Sequence, residues 1–189
     1  MSKVKKALLF LLMIFIIGCT ITKEYDENKD ILPETKKNTD ISEGGEEMKL
    51  ISNDFDDGDM IPRIFTCQGD DINPHLAWEG VPPGTKSLAL IVDDPDAPVG
   101  TWVHWLVKDI TTNTKEIKKN SIPGNQLPND FGKTDYGGPC PPSGTHRYFF
   151  KLYALNVEKL EAKGKDDLYK QVKEHAIAKA ELMGKYQKS

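Results

Sequence analysis

The chain has 189 residues, a formal net charge of −4, and 38% hydrophobic against 29% charged side chains. Arg63 and Arg147 are its only arginines and no segment gathers Lys and Arg densely, which excludes an ordinary binder of the nucleic-acid phosphate backbone. Once terminal segments are set aside, such a length holds one domain.

The N-terminus carries Lys3, Lys5 and Lys6, then the unbroken apolar run from Ala7 to Ile17, then Gly18-Cys19-Thr20. This is the layout of a secretory signal. Its apolar core of about 11 residues falls short of the roughly 20 that a permanent membrane helix needs. The ending Ile16-Ile17-Gly18-Cys19 resembles the bacterial lipobox, where a small residue precedes a cysteine that is acylated, with chains such as palmitate, and becomes the new N-terminus. Residues 1–18 are therefore expected to be a lipoprotein signal peptide and Cys19 the lipidation site. The protein would sit on the cell membrane, facing outside the cytoplasm, since more than one acyl chain makes a stable anchor.

Residues 19–47 are rich in Lys, Glu, Asp and Asn, poor in aromatics, and carry Gly44-Gly45 near the end. Such a segment buries too little apolar surface to offset its ordering entropy, and reads as a solvated tether. Its charges are mostly acidic, so it is not a polybasic arm. Residues 48–189 are left as the globular domain. Within it Cys67 and Cys140 stand in no CxxC or zinc-type spacing, so neither a structural zinc nor a cofactor is expected. A disulfide between them suits an exported protein, but the sequence does not bring their Cα atoms together, and the pairing stays open.

The domain reads as mainly β. Ser87 to Val92 is a short apolar run bounded by turn residues, the signature of a buried central strand. Thr101 to Val107 and His146 to Leu155 are two more strands, separated by loops dense in Pro, Gly and Asn, notably 123–144. Short strands with this punctuation predict two packed antiparallel sheets. At the end, Leu168, Val172, Ala176 and Met183 fall near one stripe, Asp166 or Asp167 caps the start, and Gly184 stops the end. That predicts a C-terminal helix over 166–183, with His175 as a half-buried structural histidine beside the stripe.

Side chains alternate along a strand, so His104 is placed on one face with Trp102 and Leu106, and His146 on one with Tyr148, Phe150 and Leu152. Arg147 then points to the opposite face, into a structural ion pair. The flanking segments Asp93-Asp94-Pro95-Asp96-Ala97-Pro98 and 138–144 are stiffened by proline.

These residues carry a family resemblance. Asp94-Pro95-Asp96-Ala97-Pro98, then Trp102-x-His104, then Gly144-Thr145-His146-Arg147-Tyr148 resemble the two signature segments of the phosphatidylethanolamine-binding proteins, also called Raf kinase inhibitor-like proteins. Phe65 to Gly69, Leu76 to Trp78, Asn129 to Lys133, Tyr136 to Pro142 and Ala180 to Gly184 are similar to the bacterial and archaeal branch. The resemblance covers nearly everything from Met48 onward and does not include the lipobox or the tether.

The resemblance implies a two-sheet antiparallel β-sandwich of that family's type, with a C-terminal helix near a small surface pocket for anions such as phosphate or a phosphorylated head group. The pocket positions carry over as Asp94, His104, His146 and Tyr148, with Asp96, Pro98 and Gly144 shaping its wall. His75 stands where relatives are expected to have proline or a small residue, either adding charge near the entrance or simply exposed. Chemically, two imidazoles and a tyrosine hydroxyl suit an anion, while Asp94 would orient a histidine by accepting its other N–H.

Two further classes compete with binding. In an enzyme, His104, His146 and Asp94 would form a metal site, or His146 would activate Ser143 or Cys140, but no nucleophile elbow or zinc helix supports either. In a protein-interaction module, an envelope or extracellular protease would be the partner, since an external lipoprotein does not meet cytosolic kinases. The expectation is a non-catalytic binding protein whose partners are an anionic small molecule or phosphorylated head group and, through the lipid anchor, the membrane, with a protein partner left open and no nucleic acid.

Overall fold

The computed structural model describes residues 47–189. The expected signal peptide, Cys19 and all but the last residue of the expected tether lie outside the described residues. Among these no helix is long and apolar enough to cross a membrane.

Two antiparallel sheets make up the domain. The smaller has β1 (Lys49–Ile51), β2 (Leu76–Glu79) and β5 (Glu116–Ile117) in the order β1-β2-β5. The larger runs β6-β4-β3-β7-β8, from β3 (Ser87–Asp94), β4 (Trp102–Ile110), β6 (Asn125–Leu127), β7 (Thr145–Leu155) and β8 (Ala176–Gln187). One helix, α1 (Lys165–His175), precedes β8.

The larger sheet is covered on both faces. Leu88, Leu90 and Val92 of β3 face the smaller sheet's Leu50 and Trp78, while Ala89 and Ile91 face Leu168 and Val172 of α1. A strand buried on both sides must be apolar at every position, which is why 87–92 reads as one unbroken run. Each such Leu or Ile contributes roughly 1.5–3 kcal/mol by leaving water.

The C-terminal helix is shorter than predicted, and Ala176 to Met183 belongs to a strand. β8 pairs with β7 along its whole length, from Ala176 opposite Leu155 to Gln187 opposite Thr145. Its inward positions are Ala180, Leu182 and Tyr186, a period of two. The Ala, Glu, Leu and Lys of this segment favour a helix intrinsically, but the ladder offered by β7 overrides that preference. Gly184 is therefore no helix stop. It pairs with Tyr148, and a Cβ there would meet Ile61 Cγ1 at 2.4 Å. His175 ends α1 half-buried.

A bulge decides where His104 points. Val92 pairs with Trp105 and Asp93 with Val103, which leaves His104 as an extra residue without a partner on β3. His104 and Trp105 consequently leave β4 on the same side, towards the smaller sheet, where His104 meets the Tyr148 ring. Leu106 packs towards α1, so His104 does not share its face as strict alternation predicts.

Candidate functional site

β3 ends where its two neighbours begin, so Asp94, His104, His146 and Tyr148 gather at one end of the larger sheet. Asp94 is 3% exposed. Its Oδ1 accepts the Asp96 N–H at 2.8 Å and its Oδ2 accepts the His146 Nδ1–H at 2.7 Å. A carboxylate can only accept, so His146 carries its proton on Nδ1 and leaves Nε2 free of protein partners among the described residues.

His104 is held from the other side. Its Nδ1–H donates to the Gly137 carbonyl at 2.6 Å, and its own carbonyl accepts from the Gly137 N–H at 3.0 Å and from Asn129 Nδ2 at 3.0 Å. Its Nε2 is again left over. Burial lowers the His104 pKa, and the Gly137 carbonyl and the Asp94 charge only partly oppose that. The ring is thus neutral at neutral pH, with Nε2 as an acceptor.

The Tyr148 ring stands edge-on to His104, with centroids 5.2 Å apart. Its hydroxyl is buried and makes no well-formed hydrogen bond among the described residues, with the Cys140 backbone and the Asp94 carboxylate beside it. Burial and the nearby Asp94 charge raise its pKa, so the hydroxyl stays a donor.

Beside these groups lies a cavity of about 220 Å³, lined by Asp94, Pro98, Trp102, His104, Phe131 and Cys140 among others. Its floor is polar and its rim apolar: Val99 is 77% and Phe131 41% exposed. Phe131 stacks edge-on against Trp102 at 5.4 Å and His104 at 5.2 Å. Gly137 makes room for that ring, since a Cβ there would meet it at 2.7 Å.

Not every expected site residue reaches the cavity: Asp94, Pro98 and His104 line it, whereas His146 and Tyr148 stand behind Asp94 and His104 without lining it. The Asp96 carboxylate turns away and forms an ion pair with the Arg147 guanidinium at 2.7 and 2.9 Å, also accepting the Arg147 N–H at 2.9 Å. Arg147 holds the Asp96 pKa down to about 2. The pair clamps the 95–98 loop onto β7. Gly144 sits in the turn before β7 with φ of 69°, which favours glycine, and does not line the cavity. α1 packs on the opposite face of the sheet and contributes no lining residue, so it does not gate this cavity. His75 is buried just before β2, accepting the Asn53 N–H and meeting Glu116, and does not line the cavity.

Sequence reasoning does not single out Asn129, Phe131 and Gly137 as site residues. They come from a long loop, where no periodicity marks a function, and only the family-like segments contain them. A larger recess of about 390 Å³ is lined by Asp71, Trp105, Asn120 and Ile122 among others, with no histidine. Among the described residues no three His, Cys, Asp or Glu side chains group as a metal site requires. Cys140 is joined to Cys67 in a disulfide, with Cα atoms 5.5 Å apart, so it is not a thiol that His146 could activate.

A two-sheet sandwich with buried Asp94 and two histidines at the strand ends places polar groups under an apolar rim, the arrangement common to binding proteins. The chain belongs to the phosphatidylethanolamine-binding protein family, whose model matches residues 51–187. It is similar to a UPF0098 protein of Aquifex aeolicus, 46% identical over 159 residues that span 78% of this chain and 93% of that one. A UPF0098 protein of Methanothermobacter thermautotrophicus is 43% identical, covering 75% of this chain and 99% of its own. Among solved structures, a phosphatidylethanolamine-binding protein homologue of Chlamydia trachomatis superposes with a TM-score of 0.72 at 39% identity, covering 76% of this chain and 99% of that one. YbcL of Escherichia coli gives 0.71 at 32% identity, covering 76% and 100%.

Proposed function

We propose that this chain is a non-catalytic binding protein whose cavity takes a phosphate-like anion or a phosphorylated head group. It is held outside the cytoplasmic membrane by acyl chains on Cys19, with residues 1–18 as signal peptide, 19–47 as tether and 48–189 as binding domain. The observation that carries the reading is a cavity lined by Asp94 and His104, beside which both imidazole Nε2 atoms and the buried Tyr148 hydroxyl make no well-formed hydrogen bond. Leaving such a donor unpaired costs about 1–3 kcal/mol, which a bound acceptor would recover.

Both Nδ1 protons are committed to Gly137 and Asp94, so each Nε2 donates to an anion only in the imidazolium form. Binding is then coupled to proton uptake, and affinity falls as pH rises through the histidine range, by roughly tenfold per pH unit for each proton taken up. Asp94 lies too close for a bare anion to be welcome unless the histidines are charged.

Titration calorimetry with sulfate, whose charge stays fixed across this range, separates protein protonation from ligand protonation. Equal heats for the wild type and a His104→Ala/His146→Ala variant at about pH 6 would remove the anion reading. An unmodified Cys19 in the mature protein, read by mass spectrometry, would remove the anchor.

A further inference from the structure

We propose that the Cys67–Cys140 disulfide is a reducible staple on the wall of the anion cavity, and that thiol–disulfide exchange there switches ligand binding off. This rests on the reading of the cavity given above.

Cys140 lines the His104 cavity on one side. On the other it lines a recess of about 190 Å³, which it shares with Cys67, Asp71, Phe131 and Lys133. The bond therefore stands in the partition between the two. Up to that point the wall is tied by hydrogen bonds. The Tyr136 hydroxyl donates to the Phe65 carbonyl at 3.1 Å, the Gly138 N–H to Asp71 Oδ1 at 2.7 Å, and the Cys67 N–H to the Pro139 carbonyl at 3.2 Å.

Beyond Cys140 the ties stop. Pro141 and Pro142 have no N–H to give, Ser143 and Gly144 are exposed, and residues 141–144 make no hydrogen bond among the described residues. Pro142 nevertheless lines the cavity, and Gly144 leads within two residues to His146. Pro141 is buried, so packing holds the start of this stretch, and the disulfide is its one covalent tie.

The two ends of the bond differ. Cys67 is exposed, in a loop fixed without it: the Thr66 hydroxyl donates to the Arg63 carbonyl at 2.8 Å and the Gly69 N–H to the Thr66 carbonyl at 2.9 Å. Cys140 is half-buried at the cavity. A dithiol therefore attacks at the Cys67 sulfur. Its thiolate forms a mixed disulfide there, the Cys140 sulfur leaves as thiolate and takes up a proton, and the second thiol closes on the first. The products are two cysteine thiols and one oxidised, cyclised dithiol. Cys67 stays in place, while the 140–144 wall is released.

The test uses the full chain in detergent micelles, with dithiothreitol as the dithiol and sulfate as the probe. Reduction is expected to raise amide hydrogen exchange by about tenfold or more at Gly138 and Arg147, the hydrogen-bonded amides that flank the released stretch, and to weaken sulfate binding by roughly fivefold or more as the wall loses its preorganisation. Reoxidation restores both, and a Cys67→Ser/Cys140→Ser variant behaves as the reduced protein. Unchanged exchange and unchanged sulfate affinity after complete reduction would overturn the staple. So would loss of the whole near-ultraviolet circular dichroism, which would make the bond a prop of the entire fold. If neither form binds sulfate but exchange still rises locally, the staple stands and the anion reading falls.

Discussion

Asp93 and Asp94 are adjacent in β3, yet their carboxylates leave the sheet on opposite faces and serve different ends. Asp93 turns towards α1 and is 1% exposed; its oxygens each accept from Lys151 Nζ at 2.7 Å, and one accepts the Tyr169 hydroxyl at 2.8 Å. Asp94 turns towards the cavity and holds His146. One step along the chain separates the charge that docks the helix from the charge that orients the site.

Substitutions at the pair should therefore separate. Asp93→Ala leaves the Lys151 ammonium and the Tyr169 hydroxyl without their shared acceptor, and should lower stability by about 2 kcal/mol, since Lys151 keeps some contact with water. Asp94→Asn keeps the shape and an acceptor for the Asp96 N–H, and should cost about 1 kcal/mol. It deprives the His146 imidazolium of its counter-ion, so it should weaken sulfate binding more than Asp93→Ala does. Denaturant unfolding beside calorimetry checks both orders, and equal stability losses would contradict the division of labour.

Acid should destabilise the fold through His104. Its folded pKa lies below the ordinary histidine value of 6.5 because it is buried. Between those two values the unfolded chain binds the extra proton, so stability rises with pH and is lost as pH falls below about 6.5, by up to roughly 1.4 kcal/mol per pH unit for one group. Sulfate should flatten this slope, since the liganded site favours the imidazolium. Unfolding free energies at about pH 5 and pH 7.5, with and without sulfate, give the sign directly. A His104→Gln variant with the wild-type slope would assign it elsewhere.

The legible parts of the fold are those where local pattern and tertiary demand agree. The run from Leu88 to Val92 is apolar because both faces are covered, and Trp102-x-His104 with His146-x-Tyr148 places the site's polar groups on strands. The bulge at His104 carries no local signal; it arises from register with β3, which no single segment encodes. Asp166 and Asp167 mark the first turn of α1 but do not cap it, since the N-cap is Gly164 with no side-chain cap, and its end is not readable because Ala178 to Met183 suits a helix in composition and a strand in period. The disulfide and the seat of Phe131 depend on loops meeting across the fold. Only the assembled structure supplies that proximity.

Gly184 tests the strand assignment. A methyl group there would press on Ile61 and Phe55, both buried, at 2.4 to 2.9 Å. Gly184→Ala should destabilise by roughly 1–3 kcal/mol, as overpacking of a tight core does. At the end of a helix the same change would be mild. Because Gly184 pairs with Tyr148, the variant should also weaken sulfate binding. A neutral effect in thermal unfolding would argue against this packing.

Tyr148→Phe separates stability from binding most cleanly. The ring fills the core edge-on to His104, so its volume must stay, but its hydroxyl makes no well-formed hydrogen bond in the protein. Removing an unpaired buried hydroxyl should leave stability unchanged or raise it by up to about 1 kcal/mol. The same change takes away a donor that a bound anion would use, so sulfate affinity should drop by roughly fivefold to tenfold. Greater stability together with weaker binding identifies the hydroxyl as kept for a ligand. Should the Tyr148→Phe variant instead lose more than about 1 kcal/mol, the hydroxyl has a partner within the fold, and the nearby Asp94 carboxylate is the first candidate.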